Sequence, residues 1–275
     1  MTAVAAPAGF SMGRVINRAF SVLGHNFMLY LLLSALLVGV PTGVVSFLQT
    51  DSVFTASAND FFSAARIGLW AGGLLISIVC NAMLQGSVIH ATVSDLAGRR
   101  TSFGESLAVG LRYFLPLLGI SLIVGIGCFI GAVFFVVPGV LLALALCVAA
   151  PAEVMERSGV FGSLGRSVEL TRNHRGAIFA LVLGYFVVMW LIQMVVTAVV
   201  AGFSLASLAP NLRAAGPPGA GPQTLQTVMW IETGMGLVVA TLLASLSSVG
   251  IASIYFELRQ AKEGVGVDQL AAVFD

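Results

Sequence analysis

Residues 113–152 read YFLPLLGISLIVGIGCFIGAVFFVVPGVLLALALCVAAPA, 40 residues without a charge. A helix rises ~1.5 Å per residue and the hydrocarbon core is ~30 Å thick. The stretch is therefore too long for one crossing and just long enough for two. Pro138-Gly139 sits where a hairpin must turn, because proline removes a backbone donor and glycine tolerates unusual dihedrals. The reading is a tight hairpin with almost no external loop. Outward from it, the charge-free stretches 26–50, 67–94, 176–212 and 233–256 each supply one further span. Residues 214–231 are rich in Gly, Pro and Gln and read as loop, with 206–226 expected to be poorly ordered. The expected total is six spans. An open sheet edge would leave backbone groups unsatisfied in lipid, and no ten-residue alternation suggests a barrel, so the spans are helices. The expected fold is an all-α polytopic membrane protein, a single domain over 1–275.

Composition excludes most other classes. The 275 residues are 58% hydrophobic, with 31 glycines, and only 9% charged, against roughly 25% in a soluble domain. Such a chain cannot clothe a water-facing surface. Disorder, collagen and a disulfide scaffold are excluded by the same numbers. A net charge of +1 leaves no footprint for nucleic acid. Cys80, Cys128 and Cys147 lie in apolar runs without a CxxC and read as small buried hydrophobes. His25, His90 and His174 have no metal-ligand spacing, and GxSxG, P-loop and GxGxxG patterns are absent. No catalytic, metal or cofactor residue is assigned.

Basic residues orient the chain. With both termini cytoplasmic, only Arg66 and Arg213 of the 13 basic residues fall outside. The N terminus lacks a charged start and a cleavage site, so the first span is expected to stay in place.

The inner segments repeat. Asp95-x-x-x-Arg99-x-x-x-Phe103-Gly104 recurs as Glu153-x-x-x-Arg157-x-x-x-Phe161-Gly162, and partially from Glu257 to Gly266. An acid and an Arg at i and i+4 share a helix face. Each glycine is followed by an amphipathic segment and a span pair. The expected pseudo-repeats cover about 11–100, 101–158 and 159–264, each an interfacial helix followed by two spans. In the first, Val15, Ile16, Ala19, Phe20 and Leu23 oppose Arg14, Asn17, Arg18 and Ser21. In the second, Phe103, Leu107, Leu111 and Phe114 oppose Glu105 and Arg112, with a Ser102/Glu105 capping box. In the third, Phe161, Leu164 and Val168 oppose Arg166, Glu169 and Asn173, while Leu170 breaks the stripe.

Two groups of residues are candidates for contact chemistry. Arg99, Arg100, Arg157, Arg166, Glu169 and Arg172 form an expected cytoplasmic cluster for anionic lipid head groups or a membrane partner. Asn81, Gln85 and Gln193 are candidate polar contacts inside the spans. Gly68-x-x-x-Gly72 and Gly127-x-x-x-Gly131 can bring helix backbones together, within the chain or between copies. Three functions compete. The first is a non-catalytic module organising lipid or a partner. The second is a carrier for a small or amphiphilic solute, which the repeats and amides would suit. The third is a head-group enzyme using Glu153, Glu156 and the neighbouring charges. The first is the expected one.

Four segments carry a family resemblance: V136-VPG-V140, A150-PAEVMERSG-V160, R166-SVELTRNHRG-A177 and Y255-FELRQAKEG-V265. In this order and spacing they resemble the glycerophosphoryl diester phosphodiesterase membrane-domain family and related bacterial inner-membrane proteins. The resemblance implies a multi-helix module of the bacterial inner (plasma) membrane. It implies no hydrolase activity here, because this chain has no room for the soluble barrel that some members carry. His174-Arg175-Gly176 matches the HRG of those barrels only by chance, being at the mouth of a span without the carboxylates a metal site needs.

Overall fold

The structure is a computed structural model and describes residues 9–55, 63–96, 99, 101–134, 136–213 and 222–264. Among the described residues, helices follow one another. They are α1 (Met12–His25), α2 (Phe27–Ser34), a π-helical turn (Ala35–Gly39), α3 (Val40–Thr55), α4 (Ala64–Leu96) and α5 (Phe103–Phe134). Then come α6 (Val136–Leu146), α7 (Ala149–Glu156), α8 (Gly159–Thr171), α9 (Arg175–Arg213) and α10 (Pro222–Glu263). Among the described residues six helical runs are long and apolar enough to cross a bilayer: Phe27–Thr50, Ala64–Leu96, Phe103–Phe134, Val136–Glu156, Arg175–Phe203 and Gln226–Glu263. This is the six-span all-α membrane fold that the charge-free stretches predict.

Tight packing concentrates at the end where the charges gather. Val93, Val148, Ala149, Val154, Leu170, Ile178, Tyr255 and Leu258 are all buried there. Farther along the spans, large apolar chains such as Phe129, Phe134, Phe186 and Trp190 face outward. Outward apolar side chains suit lipid as well as a protein neighbour would, so they need no further covering.

Four expectations change. The hairpin does not turn at Pro138-Gly139. α5 is described to Phe134, and α6, which begins at Val136, already contains both residues. Pro138 sits in the first turn, where its missing N–H would have had no partner. Gly139 is needed for proximity. A Cβ on Gly131 would lie 2.8 Å from the Gly139 Cα, and one on Gly139 would lie 2.9 Å from the Ala132 nitrogen. The two backbones touch.

Second, helix replaces loop at 206–213 and 222–231. α9 runs to Arg213 and α10 begins at Pro222, a residue suited to a first helical turn. The intervening 214–221 lies outside the described residues, as do Arg100 and residues 56–62.

Third, the second unit has no separate interfacial helix, since 103–112 runs without a break into the span as α5. Its capping box is formed: Ser102 N–H donates to Glu105 Oε2 at 2.9 Å, and Glu105 N–H to Ser102 Oγ at 3.3 Å.

Fourth, α8 is rotated from its expected orientation. Ser163, Ser167, Leu170 and Thr171 face the bundle, whereas Phe161 is 79% exposed. Leu170, the residue that broke the stripe, is on the buried side. In α1 the expected apolar face divides: Val15 and Ala19 go inward, Ile16 and Phe20 outward.

Candidate functional site

The polar inner face of α8 answers a gap in the fourth span. That span breaks at Cys147-Val148, between α6 and α7, and Pro151 cannot donate to the turn before it. The buried carbonyl of Ala145, beside this break, accepts from Ser167 Oγ at 2.8 Å and from Thr171 Oγ1 at 3.2 Å. One turn away, Ser163 Oγ donates to the buried carboxylate Glu153 Oε2 at 2.5 Å and lies 3.0 Å from Ser158 Oγ. Serine or threonine every fourth residue, at 163, 167 and 171, was the sequence signal for this face.

Around this seam lies an ionic network joining α7, α8 and α10. Arg166 Nε donates to both Glu156 oxygens, at 3.0 and 2.9 Å, and Nη1 donates to Glu169 Oε2 at 3.1 Å. Its Nη2 reaches Glu263. Arg259 Nε donates to Glu263 Oε2 at 2.9 Å, and Tyr255 Oη donates to Glu156 Oε1 at 2.8 Å. Burial alone would lower the Arg166 pKa, but the hydrogen bonds to Glu263 and Glu156 outweigh it and raise it above the ordinary value. The guanidinium stays charged.

A second ionic group ties α1 to α10. Glu257 is 1% exposed. Its Oε1 accepts from Arg14 Nε at 2.8 Å and from the Ser11 N–H at 3.1 Å, and Arg18 Nη1 stands 3.7 Å from Oε2. Burial pulls the Arg18 pKa below its ordinary value, with Glu257 opposing. A third link joins the start of the first span to the end of the second, where Asn26 Nδ2 donates to Asp95 Oδ1 at 2.6 Å.

The sequence-derived cluster thus separates. Arg166 and Glu169 meet directly. Arg157 is exposed in the left-handed conformation that ends α7, and Arg172 is exposed at the end of α8. Arg99 is exposed on the connector after α4. Glu257, Arg14, Tyr255, Arg259 and Glu263 complete the networks, and their distance along the chain hides them from spacing arguments. The amides inside the spans do not bond to one another. Asn81 is exposed and donates to the Ser77 carbonyl of its own helix at 2.8 Å. Gln85 is half-buried, and Gln193 is exposed. Among the described residues no group of three or more His, Cys, Asp or Glu converges as metal ligands would.

No protein-family model matches the chain, the phosphodiesterase membrane-domain family included, and no solved structure matches it. Relatives do. A UPF0259 membrane protein of Pectobacterium carotovorum subsp. carotovorum is 26% identical over 191 residues, covering 61% of this chain and 74% of the relative. UPF0259 membrane proteins of Yersinia pestis and Yersinia pseudotuberculosis are 30% identical over 94 residues, covering 34% of this chain and 37% of theirs. Their names state a membrane location and no activity. With six apolar helices on one side of the comparison and these names on the other, the chain is a multi-span membrane protein similar to the UPF0259 membrane proteins.

Proposed function

We propose that the protein is a non-catalytic module of the bacterial inner membrane that organises anionic lipid at its charged, cytoplasmic face. One observation carries this reading. α1 and α8 turn large apolar side chains outward, with Ile16 at 48%, Phe20 at 62% and Phe161 at 79% exposure, and the exposed Arg157 and Arg172 flank α8. Apolar chains at acyl depth next to guanidiniums at phosphate depth are what an interfacial lipid contact requires. The carboxylates of the network favour scaffolding over acid–base chemistry, because Glu156, Glu169 and Glu263 are each held by an arginine.

The test is lipid retention by the purified full chain in detergent, read by native mass spectrometry. Phosphatidylglycerol should be retained over phosphatidylcholine of the same chains, and Phe20→Ser with Arg172→Gln should erase that preference. Equal retention of both lipids by the wild type would remove the proposal.

A further inference from the structure

At the other end of the bundle a cavity of about 480 Å³ opens between α3, α4 and α10, within the range of small-molecule pockets. Its lining is mostly apolar, with a few polar groups set into it. Thr42, Ser46 and Gln49 share one face of α3, Trp70 closes the α4 side, and Glu232 stands on α10 above Gly236. Glu232 lies about 37 Å up α10 from Glu257 at ~1.5 Å per residue, so this cavity is distinct from the ionic networks.

The packing around it accounts for the opening. Below it, α3 and the π-helical turn approach α10 so closely that a Cβ on Gly43 would lie 2.9 Å from Leu237, and one on Gly39 would lie 2.9 Å from Thr241 Oγ1. On one flank Phe47 packs on Trp230, ring centroids 4.6 Å apart. On another, Val45 and Gln49 crowd against Gly73. Between these contacts a Cβ on Gly236 would meet nothing within 4 Å. The π-helical turn at Ala35–Gly39 immediately precedes α3. Such turns are frequent at functional sites.

We propose that this cavity holds the head group of an aminophospholipid, with the primary ammonium on Glu232. The lining has one formal charge, a carboxylate, and among the described residues no arginine or lysine pairs with it. An ammonium supplies the N–H donors that a carboxylate lacks. The hydroxyls of Thr42 and Ser46 donate to the neighbouring phosphate. Trp70 adds a ring face for the cation. The occupant is a lipid because the helices that line the cavity also carry outward apolar side chains. Val44, Phe47 and Leu48 are about half exposed on α3, and Leu74 is 62% exposed on α4, giving acyl chains an apolar track beside the polar head.

The test compares dioleoyl phosphatidylethanolamine with dioleoyl phosphatidylcholine, which has the same chains and phosphate but no N–H. Retention by the full-length protein in detergent is read by native mass spectrometry. The wild type should prefer the ethanolamine lipid about tenfold, the worth of one charge-assisted hydrogen bond. Glu232→Gln should bring the ratio near one. Gly236→Leu should lower retention of both lipids by filling the cavity. Glu232 is exposed, so the melting temperature of Glu232→Gln should match the wild type and its phosphatidylglycerol preference should persist, keeping this site separable from the charged face. Equal retention of the two lipids by the wild type, or a preference that survives both substitutions, overturns the proposal. Displacement of the lipid by free ethanolamine at equal concentration overturns its lipid part, since the site would then serve a soluble amine.

Discussion

Arg14 Nη2 lies 2.6 Å from Glu257 Oε1, a contact between the first helix and the last. Glu257 is buried and also faces Arg18, so its charge offsets two guanidiniums. Removing the acid leaves those cations facing a site with no counter-charge. Breaking a fully buried pair in this way costs about 3–5 kcal/mol, an upper bound here because Arg14 is half exposed. Glu257→Ala should therefore lower the unfolding temperature sharply in detergent. Arg14→Ala, whose side chain is 46% exposed, should cost less. Equal losses from the two would show that α1 is held chiefly by Val15, Ala19 and Val22.

Ser167 and Thr171 supply hydrogen bonds that the broken fourth span does not make for itself. The Ala145 carbonyl is buried among apolar helices, and an unsatisfied buried acceptor costs about 1–3 kcal/mol. Either hydroxyl can cover for the other. Ser167→Ala and Thr171→Val should each cost less than about 1 kcal/mol, while the double variant costs more than their sum. Additive losses in thermal unfolding would mean that the two hydroxyls act separately.

Six spans were legible because a run of about 20 residues without charge has few other uses. Span ends were less legible. Residues 206–213 and 222–231 carry few charges and no decisive stop, so α9 and α10 continue where loop was expected. The orientation of α8 was misread for a physical reason. Apolar periodicity marks the buried face when water is the alternative, but beside lipid an outward Phe161 carries no such penalty, and the bundle takes the serines instead. Within the candidate site, the Arg166–Glu169 contact was legible from i,i+3 spacing. The Arg14–Glu257 contact was not, because no local rule links residues 243 positions apart.

The two small-residue motifs should respond differently to substitution. Gly131 abuts Gly139, and a Cβ on Gly127 would come within 2.9 Å of Leu142, so that motif binds α5 to α6 inside the chain. A Cβ on Gly68 or Gly72 would meet nothing within 4 Å. Gly131→Ala should destabilise by about 1–3 kcal/mol through forced backbone separation. Gly68→Ala should stay within about 0.5 kcal/mol. A marked loss for Gly68→Ala that depends on protein concentration would identify a contact between copies.

Orientation can be checked at two exposed positions on opposite ends of the bundle. Arg172 ends α8 beside the ionic network, and Ala64 begins α4 at the far end. The three native cysteines lie in the spans and must be replaced before labelling. Basic residues gather on the side that holds Arg172, and Lys and Arg are retained on the cytoplasmic side during insertion. Arg172→Cys should therefore react with a membrane-impermeant maleimide only in inverted vesicles, and Ala64→Cys only in intact spheroplasts. The reverse pattern would put the charged end outside and detach the proposed lipid-organising face from the cytoplasmic leaflet, while labelling of both from one side would break the six-span count.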